Sequence, residues 1–131
     1  MEKVKVIKER VPTESLEAQW LIRWIKLRKL PVAHIANEGK RTLSQGRLLK
    51  AQGLSKGFPD FFLPIVNKNF HGLFIELKRQ KGSVTTKEQV FWLSLLNSSG
   101  YCASLCKGWN EARRLIEWYI SNDERSFPSF L

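Results

Sequence analysis

Apolar positions along the chain follow two periods, one helical and one alternating. From Thr13 to about Lys29, Leu16, Trp20, Trp24 and Leu27 recur at helical spacing, and Leu21 and Ile25 widen the stripe. Thr13 is placed to cap this helix, Glu14 and Glu17 suit its first turn, and Pro31 ends it. Val32 to Ala36 reads as a short strand, Asn37 to Arg41 as a turn, and Thr42 to Gln52 as a small helix closed by Gly53. Asp60 to Leu63 and Gly72 to Lys78 read as strands of one hairpin, joined through the turn residues Asn67-Lys68-Asn69. A second long helix opens on a capping box, Thr85 with Glu88 or Thr86 with Gln89, and buries Trp92, Leu93 and Leu96. Ser98-Ser99-Gly100 closes it, and Tyr101 to Cys106 forms a fourth strand. Asn110 is placed to cap a last helix whose stripe is Leu115, Ile116, Tyr119 and Ile120. The pattern predicts an α/β fold: a helix, four strands with one small helical insertion, and two more helices packing alongside. It forms a single domain with a core over 13–120, an arm at 1–12 and a tail at 121–131.

Polar residues interrupt this pattern at positions where apolar ones belong. In a strand, Glu76 and Lys78 project to one face while Ile75 and Leu77 face the other way into a core. A charged pair turned inward is costly unless a metal, a partner or a substrate compensates it. Asp60 begins the strand expected to run antiparallel to this one, so it approaches Glu76. Glu17 lies inside the stripe of the first helix, and Gln89 stands on the buried face of the second long helix, which follows the third strand. Each has an ordinary alternative: an acid snorkelling from a first turn, and an amide bonded to backbone.

Charge enlarges the picture. The 131 residues carry 22 Lys and Arg against 12 acidic residues, a formal net charge of +10, which points to a polyanion, most often nucleic acid. At 43% hydrophobic, with five Trp and eight Phe, the chain has the material for a packed core. Lys40, Arg41, Arg47, Lys50 and Lys56 lead into the Asp60 segment, and Arg79 and Lys81 follow Lys78, so both flanks of the suspected site are basic. Cys102 and Cys106, in one strand and too far apart to pair easily, read as reduced thiols of a cytoplasmic protein. No apolar run approaches the ~20 residues of a membrane span.

One aspartate, one glutamate and one lysine suit phosphodiester hydrolysis: carboxylates supply hard oxygen ligands for Mg²⁺ or Mn²⁺, and the lysine orients a water or offsets transition-state charge. By itself a Pro-Asp followed by Glu-x-Lys is a common pattern, and a surface salt bridge at a strand end is its plain alternative. The segments Gly57-Phe58-Pro59-Asp60, Gly72-Leu73-Phe74-Ile75-Glu76-Leu77-Lys78, Thr85 to Gln89 and Gly100-Tyr101 resemble the virus-type replication-repair nuclease (VRR-NUC) domain of the PD-(D/E)xK superfamily, over about Glu14 to Tyr119. The resemblance implies a restriction-endonuclease-like fold, a four-stranded mixed sheet flanked by helices. It implies that Asp60, Glu76 and the Leu77 carbonyl hold the metal and that Lys78 is catalytic. Gln89 corresponds to the glutamine on the following helix, and Glu17 to the first-helix acid at the metal, with Glu14 the neighbouring alternative. Glu38 departs from the pattern, standing where a glycine is expected. The function expected is a metal-dependent DNA endonuclease of phage replication, recombination or repair, similar to small standalone phage members. It would be selective for a Holliday junction, flap or other branched DNA and would work as a homodimer. The Thr42 to Gln52 segment and the aromatic tail are candidate interface pieces. A non-catalytic nucleic-acid-binding module and an RNA endonuclease are the competing readings.

Overall fold

In the computed structural model the described residues are 10–35 and 42–121. Most of the expected arm, the turn holding Glu38, Lys40 and Arg41, and the tail after Ser121 lie outside them. The elements run α1 (Glu14–Leu27), β1 (Ala33–His34), α2 (Leu43–Ala51), β2 (Phe61–Leu63), β3 (Leu73–Lys78), α3 (Lys87–Ser98), β4 (Cys102–Lys107) and α4 (Trp109–Ser121). The four strands form one sheet in the order β1-β2-β3-β4. β1 and β3 each run antiparallel to β2, and β4 lies parallel to β3 after the crossover through α3.

Strand parity divides the core into two layers. Leu73, Ile75 and Leu77 of β3 join Leu21 and Ile25 of α1 and Leu115, Ile116 and Tyr119 of α4 in the larger core. Phe74 points the other way and packs with Leu96 of α3, Ala103 of β4, Phe58 and Phe62. With helices on both faces, every residue of β3 is buried. The stripe of α1 is centred differently from the expectation. Glu17, Leu21 and Ile25, one turn apart, face inward, whereas Leu27 is 75% exposed and Leu16 is 37% exposed. Apolar spacing alone does not distinguish the two: both series recur with helical period, and packing against the sheet and α4 together selects the arc one position away.

Side chains from the adjacent sequence cap three of the helices at their N-termini. Thr13 caps α1, and Thr42 with Gln45 and Thr86 with Gln89 form complete capping boxes on α2 and α3. The C-termini of these helices share one device. At the end of α3, Gly100 donates to Asn97 and Tyr101 to Leu96; at the end of α2, Gly53 donates to Lys50 and Leu54 to Leu49. The same pair of bonds ends α1, from Lys29 to Lys26 and from Leu30 to Ile25. There the left-handed position holds a lysine, with φ 54°, where the other two hold glycine. Pro31 follows this stop instead of causing it. α4 begins at Trp109, so Asn110 is its second residue and not its cap.

Two predictions follow from this packing. Lys29→Gly is expected to raise the stability measured by urea denaturation by about 0.5–1 kcal/mol, since it removes the Cβ penalty of the left-handed conformation; an unchanged or lower midpoint would count against it. The second concerns alkali. Burial pushes the Cys102 thiol up to about 11 from an ordinary 9.0, and raises Cys106 further, with the nearby Glu111 charge adding to the effect. Burial likewise lifts Tyr119, whose hydroxyl donates to the Ile65 carbonyl, from 10.0 to about 12. Folded values above the unfolded ones mean that this stability is complete below about pH 9 and is lost as the pH rises through the folded values. Native protein at pH 8 should leave both thiols unreactive to a thiol reagent, and the urea midpoint should fall between pH 9 and 12.

Candidate active site

The pairing of β2 with β3 places the first acid. Phe61 is registered on Ile75 and Phe62 on Phe74, so the antiparallel register carries Asp60 opposite Glu76. Asp60 Oδ2 accepts the Leu77 amide at 2.9 Å, which ties the residue ahead of β2 to the peptide between Glu76 and Lys78. Glu76 is 1% exposed and Lys78 is 6% exposed, so both charges are held inside the protein. Lys78 Nζ lies 3.7 Å from Glu76 Oε1, and the Gln89 amide nitrogen donates to the same oxygen at 2.8 Å. Gln89 also completes the capping box of α3: its Oε1 accepts from the Thr86 amide, and its own backbone amide donates to the Thr86 hydroxyl. One glutamine side chain thus fixes the start of α3 and holds Glu76.

A close backbone approach joins the two sides of the site. Gly57, with φ 84°, lies so near the first turn of α3 that a Cβ there would sit 2.7 Å from Glu88 Cβ and 2.8 Å from the Gln89 nitrogen. Phe58 follows, edge-on to both Phe74 and Trp92, so the loop delivering Asp60 packs directly on the helix delivering Gln89. The motif's glycine has a steric reason that its spacing in the sequence does not reveal.

Asp60, Glu76, Leu77, Lys78 and Gln89 are therefore brought together. Glu17 has other partners. It is 0% exposed; Gln80 donates to its Oε1 at 2.8 Å and the Trp109 amide to its Oε2 at 2.6 Å. It makes no hydrogen bond or ion pair with Asp60, Glu76, Lys78 or Gln89 among the described residues. Its carboxylate supplies the cap of α4, where the helix dipole favours an anion. Gly108, with φ 84°, permits the approach, since a Cβ there would meet both Glu17 oxygens at 3.4 Å. Gln80 carries no signal of this pairing in the sequence: it lies beyond the end of β3, where strand parity no longer applies, and its partner is 63 residues away. Glu14, the alternative acid, is only partly buried in the same turn.

The basic residues separate into two kinds. Arg47, Lys50, Lys56 and Lys81 are exposed and form no ion pair among the described residues. Arg79 instead reaches back to the Val11 carbonyl at 3.4 Å and is partly buried. α2, which carries Arg47 and Lys50, buries no residue of its own.

The donors at the site are hard oxygens. No group of three His, Cys, Asp or Glu residues suited to a metal occurs among the described residues. Two carboxylates on facing strands fit Mg²⁺ or Mn²⁺, which bind through one or two carboxylates and keep waters and substrate phosphate oxygens, and they do not fit a closed zinc site.

These residues lie within the span of a family match. The VRR-NUC domain model matches residues 4–110. The chain belongs to the VRR-NUC domain family. A solved structure described as a VRR_NUC domain protein aligns with a TM-score of 0.75 at 26% identity, covering 86% of this chain and 92% of that chain. No curated protein matches the chain. VRR-NUC membership makes this a nuclease-type domain, and its mixed sheet with flanking helices is the restriction-endonuclease-like arrangement that the resemblance implies.

Two substitutions test how this VRR-NUC site is held. Gly57→Ala is expected to lose about 1–3 kcal/mol of stability, from the left-handed φ and the contact with the Gln89 backbone; a wild-type urea midpoint would show that the loop and α3 separate freely. Glu17→Ala is expected to cost about 2–4 kcal/mol by leaving the Trp109 amide and Gln80 unsatisfied, and Glu17→Gln, which keeps an acceptor, should cost less. Equal losses for the two Glu17 variants would argue that the charge alone matters.

Proposed function

We propose that the protein is a metal-dependent DNA endonuclease that hydrolyses phosphodiester bonds. The observation that carries this reading is the convergence of Asp60, Glu76 and Lys78 at paired strand ends, with Gln89 bonded to Glu76. Asp60, Glu76 and the Leu77 carbonyl would hold Mg²⁺ or Mn²⁺. When bound, the ion supplies Lewis acidity toward the phosphate and lowers the pKa of an attacking water.

The chain's own residues do the rest. Lys78 presents an ammonium beside Glu76, where it offsets charge that grows on the phosphate oxygens or orients the water. Its position is set by β3, which is buried along its length, so little reorganisation is needed at the moment of reaction. Gln89 holds Glu76 by one oxygen. Glu17 acts at one remove, by fixing Gln80 just after β3 and the start of α4. The exposed Arg47, Lys50, Lys56 and Lys81, with Lys40 and Arg41, are the candidates for phosphate contacts.

The substrate is selected by DNA shape, such as a junction or flap, in preference to base readout. Paired cuts at a four-way junction need two active sites, which a homodimer supplies. We place this activity in phage replication, recombination or repair within the cytoplasm, and no described helix is long and apolar enough to cross a membrane.

The test uses four-way junction, flap, duplex and single-stranded DNA, and structured RNA, with Mg²⁺, Mn²⁺ or EDTA. Cleavage of branched DNA that requires the metal and falls at least ~10²-fold in Asp60→Asn, Glu76→Gln and Lys78→Ala is the expected result. Binding without cleavage under every metal condition would identify a binding module instead, and cleavage confined to RNA would reassign the substrate.

A further inference from the structure

The outer face of α1 carries chemistry that the cleavage site does not use. Two grooves flank this helix. One, of about 340 Å³, is lined by Trp20, Arg23, Trp24, Leu27 and Trp109. The other, of about 490 Å³, has Ala18, Ile22 and Phe61 as its apolar floor, with Arg23, Lys26 and His34 along it. Arg23 lines both, so the grooves meet across an exposed ridge of the helix. Neither is lined by any Asp or Glu. Arg23 and Lys26 are exposed and form no ion pair among the described residues.

The aromatic side of this surface is already in use as a cation-stacking surface. The Arg28 guanidinium lies 5.3 Å from the ring centre of Trp24, and that of Arg113 lies 5.9 Å from Trp109. Both arginines are anchored by Glu117, at 3.8 Å and 3.1 Å. The stripe that puts Trp20, Trp24 and Leu27 at helical spacing is therefore only half turned inward: Trp24 and Trp109 pack partly against the core, Trp20 is partly exposed and Leu27 exposed, so ring surface lies next to Arg23 and Lys26. Rings that accept stacking, beside Arg23 and Lys26 and with no acid lining either groove, match the chemistry of a nucleic-acid single strand, whose bases stack and whose phosphates need cations; the nearby acid, Glu117, is taken up by Arg28 and Arg113.

We propose that the exposed face of α1, with Trp109, is a binding platform for single-stranded DNA, separate from the cleavage site. Bases stack in the groove of Trp20, Trp24 and Trp109, and the backbone follows Arg23 and Lys26. The platform belongs to the α1–α4 layer of the sheet, whereas Gln89 reaches Glu76 from the α3 layer. A strand held there is a flanking arm of a substrate and not the bond being cut. The platform does not depend on the cleavage reading, and its test avoids cleavage altogether.

The test is titration of the full chain in EDTA with an oligothymidylate of about 12 nucleotides, following tryptophan fluorescence and the salt dependence of binding. Quenching is expected, with affinity lowered on the order of tenfold in Trp20→Ala, while Arg23→Ala with Lys26→Ala should make the log–log salt slope shallower by about 1.4. An abasic oligomer of the same length should bind more weakly and leave the fluorescence unquenched. Wild-type affinity in Trp20→Ala together with a wild-type salt slope in the double variant would overturn the proposal, and the exposed position of Arg23 and Lys26 keeps that comparison free of folding defects. So would sedimentation showing that the wild-type chain associates with itself through this face and that Trp20→Ala dissociates it, since the grooves would then be filled by a second copy.

Discussion

The register of two strands governs the site. Because Phe61 pairs with Ile75, Asp60 stands across from Glu76, and the Leu77 amide is in reach of the Asp60 carboxylate. A slip of one residue would turn Glu76 and Lys78 to the opposite face, into the layer of Leu21 and Leu115, and would put Ile75 and Leu77 toward α3. The register is defended from both sides. Phe61, Leu63, Leu73 and Ile75 fill one layer, and Phe62 stacks on Phe74 at 4.5 Å in the other. The apolar residues that pin the strands are therefore what aims the charged ones.

Four polar side chains are buried among the described residues: Glu17, Glu76, Lys78 and Gln89. Their burial is tolerated because each meets a specific partner, and the partners fall into two separate groups. Glu76, Lys78 and Gln89 form one, on the face that receives α3. Glu17, Gln80 and the Trp109 amide form the other, where the loop after β3 meets the start of α4. Removing a partner from either group leaves a desolvated polar atom, which costs more than the bond itself contributes. The first group is the one proposed to act on the phosphodiester; the second ties α1 to the start of α4.

Much of this was legible in the sequence. Strand parity put Glu76 and Lys78 on one side, the capping box Thr86 with Gln89 was one of two registers considered, and Gly53 and Gly100 marked helix ends. What stayed hidden depended on distant contacts. The stripe of α1 has two helical series, and only docking on the sheet and α4 shows that Glu17, Leu21 and Ile25 face inward. The odd placement of Glu17 was visible, yet its partners lie far along the chain, so one buried acid was grouped with another on resemblance. Asn110 looked like a cap because local sequence offered nothing better; the actual acceptor comes from a different helix.

The carboxylate joining α1 to the start of α4 has a consequence for how the protein is made. Glu17 leaves the ribosome well before Trp109, which follows only after the hairpin, α3 and β4 have been synthesised. Until then the acid has no helix terminus to occupy, and Leu21 and Ile25 have no α4 to pack against. The nascent chain holds an unfinished layer until α4 emerges, and α4 then closes the sheet on that side. Native structure on this face therefore needs elements from both ends of the described fold and is complete only once α4 has been made.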